Sequence, residues 1–109
     1  MIRLALLVCA LSAISACEAR SREAVVRDAE RSLVLPPKAE DISSYDRYYA
    51  FSGGRAVGIF ISSPHGKGRL IIVSEKEQLP FVADGGCTVV EVELDLNTRS
   101  WARPFCHGM

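Results

Sequence analysis

The chain is short, electrically balanced and half apolar. Its 109 residues carry 13 basic and 13 acidic side chains, and 49% of the residues are hydrophobic. This length predicts one domain with a modest core. The charge balance, with no cluster of lysine or arginine, argues against a nucleic-acid partner.

The first 16 residues have the three-part layout of a secretory signal. Arg3 supplies a positive charge, residues 4–11 are apolar, and residues 12–16 are small or aliphatic. The apolar run is well short of the roughly 20 residues that a membrane-spanning helix needs. The polar segment 18–22 follows directly, which fits a processing site better than a continued span.

The segment Ile14-Ser15-Ala16-Cys17 resembles the lipobox of bacterial lipoproteins, in which an aliphatic residue and two small residues precede the lipidated cysteine. The resemblance implies that residues 1–16 are a signal peptide and that residues 17–109 form one exported domain tethered through Cys17. It also implies several acyl chains, palmitate among them, on that cysteine. Each buried methylene group contributes ~0.8 kcal/mol, so several chains make a lasting anchor.

The residue after the cysteine bears on the location of the protein. In this family an aspartate there often retains the protein in the inner membrane, whereas this chain has Glu18. The resemblance therefore implies a lipid-anchored protein of the outer membrane that faces the periplasm. Ordinary secretory cleavage is the first alternative, but Ile14 occupies a position that favours a small side chain. A buried N-terminal helix is the second, but the run has no polar face.

Residues 18–35 are predicted to form an amphipathic helix. Apolar residues recur at helical spacing from Val25 to Leu33, and Pro36-Pro37 ends the pattern. We expect this stripe to pack on a sheet, with a partner surface as the alternative use. Residues 38–44 are polar and without period, which is typical of a loop.

Strand patterns begin at Tyr45. Gly53-Gly54 separates two strand-like runs, residues 45–51 and 55–62, and predicts a tight hairpin. The second run is apolar on both faces, which predicts a central, covered strand. Further strands are predicted over residues 69–74, 79–83, 87–95 and 100–106, joined by loops at 63–68, 75–78 and 84–86 and by a turn at 96–98.

The predicted fold class is therefore α+β. It consists of one N-terminal amphipathic helix packed on a small antiparallel sheet of about five strands, connected as a meander of hairpins.

Cysteine use predicts one disulfide bond. Of the four cysteines, Cys9 leaves with the signal and Cys17 takes the lipid. Cys87 and Cys106 remain as a pair in an oxidising compartment. Their bond would stabilise the fold by roughly 3 kcal/mol.

The disulfide also predicts a register for the last hairpin. If Cys87 faces Cys106, then Val92 meets Trp101 and the turn is reduced to Leu96-Asn97. Opposed Cα atoms lie about 4.5 to 5.5 Å apart, a distance that a disulfide accepts. A longer turn would place the two cysteines diagonally.

The candidate chemical groups do not form a recognisable site. Cys87, Cys106, His107 and His65 are the candidate metal ligands, but Cys106 and His107 are adjacent, so they point to opposite faces of a strand. A cysteine nucleophile at Cys106, with His65 or His107 as its base, needs a free thiol that the disulfide removes. We predict no metal, cofactor or catalytic residue.

Two other patterns favour structural roles. Gly66-Lys67-Gly68 lacks the length and the following Ser/Thr of a nucleotide-binding loop. Tyr45, Tyr48, Tyr49 and Phe51 could line a ligand groove, but most of the eight aromatic residues are expected in the core.

The sequence thus predicts a non-catalytic lipoprotein of the bacterial cell envelope with a binding or accessory role. Its expected partners are the membrane and an envelope protein. A small inhibitor that binds an envelope enzyme through residues 63–68 is one alternative, and a Cys/His enzyme is the other. No ligand or oligomeric state is assigned.

Overall fold

A computed structural model describes residues 20–62, 68–82 and 84–108. Within these residues one α-helix lies on a six-stranded mixed sheet, so the α+β class is confirmed. The helix, α1, covers residues 20–30. The strands are β1 (Tyr45–Ser52), β2 (Arg55–Ser62), β3 (Leu70–Val73), β4 (Gly86–Asp95), β5 (Ser100–Trp101) and β6 (Phe105–His107). None of the described helical residues forms a segment long and apolar enough to cross a membrane.

The helix ends five residues earlier than predicted, and residues 18 and 19 lie outside the described part. The carbonyl of Ala29 accepts hydrogen bonds from the Ser32 hydroxyl at 3.0 Å and from the Trp101 indole N–H at 2.9 Å. Because these donors occupy a carbonyl that the helix ladder would otherwise use, the chain leaves the helix here. Leu33 then packs against the core from an irregular segment.

The first hairpin is confirmed. In β1 and β2, Ser52 pairs with Arg55, so Gly53-Gly54 forms a two-residue turn. The two glycines have φ values of 57° and 79°. Positive φ at both central residues is the conformation of the turn that matches the twist of paired strands, and glycine adopts it without strain.

The sheet is mixed, so the prediction of an antiparallel meander is wrong. Its strand order is β3-β1-β2-β4-β5, and β6 also pairs with β4. Strand β3 lies parallel to β1, because β4 occupies the edge of β2 where a meander would place β3. The start of β3 is held there by Asp46, whose carboxylate accepts hydrogen bonds from the Arg69 backbone N–H and guanidinium, both at 3.1 Å.

The predicted edge strand at residues 79–83 is also not observed. The described part of it, residues 79–82, contains no strand, and Ala83 lies outside the described residues. A 3₁₀ turn at Lys76–Gln78 is closed by a bond of 3.1 Å from the Leu79 N–H to the Lys76 carbonyl. The proline at position 80 has no N–H to offer a ladder. Leu79 and Pro80 instead lie half-buried beside the sheet.

Strand β4 has the predicted faces but a different register. Val90, Val92 and Leu94 are buried, at 0 to 2% exposure. Leu94, and not Val92, pairs with Trp101, and Asp95 pairs with Ser100. The turn therefore has four residues, 96–99. It is fixed by the Asp95 carboxylate, which accepts hydrogen bonds from the backbone N–H groups of Asn97 and Thr98 at 2.8 and 3.1 Å.

The Cys87–Cys106 disulfide is confirmed, with the Cα atoms 4.6 Å apart. At the open end of the ribbon, Gly86 pairs with His107, which is the predicted register. Further along, Val90 pairs with Cys106, so a bulge in β4 separates the two registers. The bulge lets Cys106 bond to Cys87 although the turn is longer than predicted.

The core lies between α1 and the sheet, and the expected aromatic core is confirmed. Tyr45, Tyr49 and Phe60 are fully buried. Gly58 makes room for Tyr49: a Cβ atom at this position would lie 2.7 Å from the tyrosine ring and 2.6 Å from Val92. Five of the eight aromatic residues belong to this core or pack against it.

Candidate binding site beside the disulfide

A large concavity lies beside the disulfide and is called here the disulfide groove. It has a volume of about 540 Å³, within the range of small-ligand sites. One wall is the segment that follows the helix, and the other is the end of the β4–β6 ribbon. Its lining residues are Val34, Leu35, Pro36, Pro37 and Lys38 on the first wall, and Cys87, Arg103, Pro104, Phe105 and Cys106 on the second.

The two walls are joined by the hydroxyl of Tyr45. It donates a hydrogen bond to the Cys87 carbonyl at 2.6 Å and accepts one from the Glu40 backbone N–H at 3.0 Å. Burial raises the pKa of this phenol, so the hydroxyl stays protonated and keeps its donor. With the disulfide on one side and Pro36-Pro37 on the other, both walls are held by rigid groups.

The surface of the groove is apolar and carries positive charge at its margin. The side chains of Val34 and Phe105 are 80% and 50% exposed. Two basic residues, Lys38 and Arg103, line the groove, and its ten described lining residues include no carboxylate. Exposed aromatic and aliphatic side chains next to arginine are typical of protein–protein contacts.

A second depression, the outer groove, lies on the face of the sheet opposite α1. Its volume is about 330 Å³, and it runs between β2 and the segment 76–82. Phe81 at its margin is 91% exposed. His107 lines it, and the His107 ring stacks on Phe105 of the disulfide groove, with the ring centroids 5.8 Å apart. Aromatic surface therefore continues from one groove to the other.

The predicted chemical groups are brought together only in part. The sulfur atoms of Cys87 and Cys106 are bonded to each other, so neither is a thiolate. His107 donates from Nδ1 to the Val82 carbonyl at 2.7 Å, and its Nε2 lies 3.9 Å from Glu91. No group of three or more metal-binding side chains occurs in the described ranges. Cys17, His65 and Gly66-Lys67 lie outside them.

Sequence reasoning did not find the groove or its two exposed phenylalanines. Phe81 and Phe105 each follow a proline directly. Proline restricts the preceding residue and cannot donate to a ladder, so such dipeptides interrupt regular pairing. A proline–phenylalanine pair at the end of a strand pattern could therefore have indicated these two exposed side chains. Nothing in the sequence pattern indicated that residues 34–38 would lie beside the disulfide.

The arrangement of the described groove residues is suited to binding. Apolar walls, an exposed phenylalanine and two basic side chains can bind an apolar segment that carries a carboxylate. The chain matches no known family model, and comparisons with curated proteins and with solved structures likewise gave no match.

Proposed function

We propose that the protein is a non-catalytic, lipid-anchored component of the bacterial cell envelope whose domain binds an envelope protein through the disulfide groove. The acyl chains on Cys17 hold the domain at the outer membrane, on the periplasmic side. The cysteine pair supplies rigidity to the groove instead of a nucleophile. The partner contributes an apolar segment with acidic character, which complements Lys38 and Arg103.

The observation that carries this proposal is the segment Ile14-Ser15-Ala16-Cys17 at the end of a signal-like run. Two features of the domain support it. The domain contains a disulfide bond, and disulfide bonds form and persist in the oxidising environment of exported proteins. An exposed apolar groove beside that disulfide gives the domain a surface for a partner, because exposed apolar patches mark interaction sites.

Mass spectrometry of the native protein tests the anchor. We expect an N-terminal peptide that begins at Cys17 and carries acyl chains. Substitution of Cys17→Ala should abolish this modification, whereas Cys9→Ala should leave it intact because that residue belongs to the removed segment. An unmodified Cys17 in the native protein would rule out the anchor.

Site-specific photocrosslinking in intact cells tests the groove. A photoreactive residue at Phe105 should give one discrete adduct with an envelope protein. The same residue at Thr98, in the turn after β4, is the matched control and should not give it. Equal adducts at both positions, or none at Phe105, would contradict binding through the groove. An adduct with an envelope hydrolase that loses activity on binding would indicate the inhibitor alternative.

A further inference from the structure

The tether between the lipid and the helix is very short. Only Glu18 and Ala19 separate Cys17 from Arg20, the first described residue of α1. Three Cα–Cα steps span at most about 11 Å. If Cys17 is acylated, as proposed above, the beginning of α1 therefore lies at the depth of the lipid headgroups or directly above them.

Two turns of the sheet lie at the same end of the domain as the beginning of α1. The guanidinium carbon of Arg22 lies 5.3 Å from the centroid of the Phe51 ring, near the end of β1. The turn at Gly53-Gly54 follows Phe51, and its Gly54 carbonyl accepts a hydrogen bond of 2.9 Å from the Leu96 N–H. We call this end, formed by residues 20–23, 51–55 and 93–99, the tether end.

The tether end carries an excess of arginine. It holds Arg20, Arg22, Arg55 and Arg99. Its three carboxylates are all engaged: Glu23 pairs with Arg27, Glu93 pairs with Arg55, and Asp95 accepts hydrogen bonds from backbone N–H groups.

The rest of the described chain has the opposite sign. Over the residues that define it, the tether end has four arginines against three carboxylates, whereas the remaining described residues have seven basic and nine acidic side chains. Glu18 in the tether reduces the excess by one. Among the described residues, the end next to the tether thus has more arginines than carboxylates, whereas the rest has more carboxylates than basic side chains.

We propose that the tether end is a lipid-binding face, on which Arg20, Arg22, Arg55 and Arg99 bind the phosphate groups of anionic lipids. Guanidinium groups bind phosphate in a bidentate manner and hold it better than ammonium groups do. Juxtamembrane basic residues are attracted to anionic leaflets over about a Debye length. The tether keeps the arginines within that range, so contacts between their guanidinium groups and lipid phosphates can orient the domain.

The test uses the mature, acylated protein in vesicles of phosphatidylcholine, with or without phosphatidylglycerol. An environment-sensitive fluorophore is placed at Thr98→Cys, and a matched label is placed at Thr88→Cys near the opposite end of β4. A quencher attached to lipid headgroups should quench the label at position 98 more strongly than that at 88. The difference should grow when phosphatidylglycerol is present. Equal quenching at both positions, or no effect of phosphatidylglycerol, would overturn the proposal.

A pair of charge variants separates local binding from net charge. Arg55→Gln with Arg99→Gln should reduce the quenching in anionic vesicles to its level in neutral ones. Arg31→Gln with Lys76→Gln removes the same charge elsewhere and should leave the quenching unchanged. Equal effects of the two double variants would assign the response to net charge and refute the lipid-binding face.

The failure of this inference is distinguishable from failure of the anchor. Mass spectrometry of the reconstituted sample reports acylation at Cys17 directly. An unacylated protein would refute the proposed function, whereas an acylated protein with equally quenched labels would refute the orientation alone.

Discussion

The Glu30 carboxylate joins the helix to the sheet by charge. It accepts hydrogen bonds from the Arg47 guanidinium at 2.7 and 3.1 Å and from the Tyr49 hydroxyl at 2.8 Å. The side chains of Arg47 and Glu30 are 7% and 9% exposed. Arg47 also donates to the Gly68 carbonyl at 2.9 Å. A buried bidentate pair with all of these partners fixes how α1 lies on β1.

We expect Glu30→Ala to lower the free energy of unfolding by about 3 to 5 kcal/mol, because it leaves a buried guanidinium without its counter-charge. Glu23→Ala is the matched control on the same helix. Its partner Arg27 is 55% exposed. Loss of that surface pair should cost less than about 1 kcal/mol. Urea unfolding followed by circular dichroism measures both, and similar losses would show that the Glu30 pair does not hold the helix.

Because of Tyr49, the free energy of unfolding should depend on pH in the alkaline range. Burial, together with the negative charge of Glu30, raises the pKa of this phenol well above its ordinary value. The unfolded chain releases the proton near pH 10, and the folded chain retains it. Stability from this group is therefore complete below about pH 10 and falls as the pH rises further, by up to about 1.4 kcal/mol per pH unit.

Urea unfolding at pH values on both sides of 10 checks this dependence. Tyr49→Phe removes the titrating group and keeps the ring, so the variant should lose less stability above pH 10 than the native protein does, although it starts from a lower value. All other residues are the same in both proteins, so the difference between the two isolates Tyr49. Parallel curves would contradict the assignment.

At the scale of elements, turns and strand faces could be predicted from the sequence, whereas the register between paired strands could not. Gly53-Gly54 predicted its hairpin because positive φ at two successive residues is a local requirement. The alternation of Val90, Val92 and Leu94 predicted the faces of β4, since the period of a strand is also local. The turn after β4 was predicted too short because the bonds from its backbone to Asp95 and the bulge at the disulfide depend on three-dimensional fit.

The placement of β3 shows the same limit. A sequence pattern identifies Leu70–Val73 as a strand but does not say which edge accepts it. The contact between Asp46 and Arg69 holds β3 at the edge of β1. These two residues are 23 positions apart in the sequence and come together only in the folded chain. The disulfide was predictable from the cysteine count together with the predicted export of the chain. The groove beside it was not, because it depends on where the helix ends.

Asp46→Ala should loosen β3 from the edge of β1. The carboxylate is 11% exposed and is bonded to both the backbone and the side chain of Arg69. We expect faster amide hydrogen exchange in residues 70–73, while β2 and β4 stay protected, because an edge strand can open without the rest of the sheet. Asp28→Ala, which removes a carboxylate from an exposed pair, is the control. Unchanged exchange in β3 would show that its backbone ladder alone holds it.

At the scale of the whole molecule, strand β4 separates the two surfaces for which we propose different roles. Asp95, at its end, belongs to the tether end, and Cys87, near its start, lines the disulfide groove. The eight steps between them span roughly 26 Å in an extended strand. In the proposed orientation, a domain held to the membrane at the tether end would present the groove to the periplasm, where the proposed partner could reach it.

This geometry predicts the accessibility of each end to a bulky probe. Biotin attached at Lys38→Cys, in the groove, should bind streptavidin at the same rate in vesicles as in detergent. Biotin at Thr98→Cys should bind freely in detergent and much more slowly in vesicles, because the headgroups then cover the turn. The acylated protein and stopped-flow fluorescence are sufficient for the measurement. Slow binding at both positions would place the groove against the membrane, and a groove in that orientation could not take a periplasmic partner.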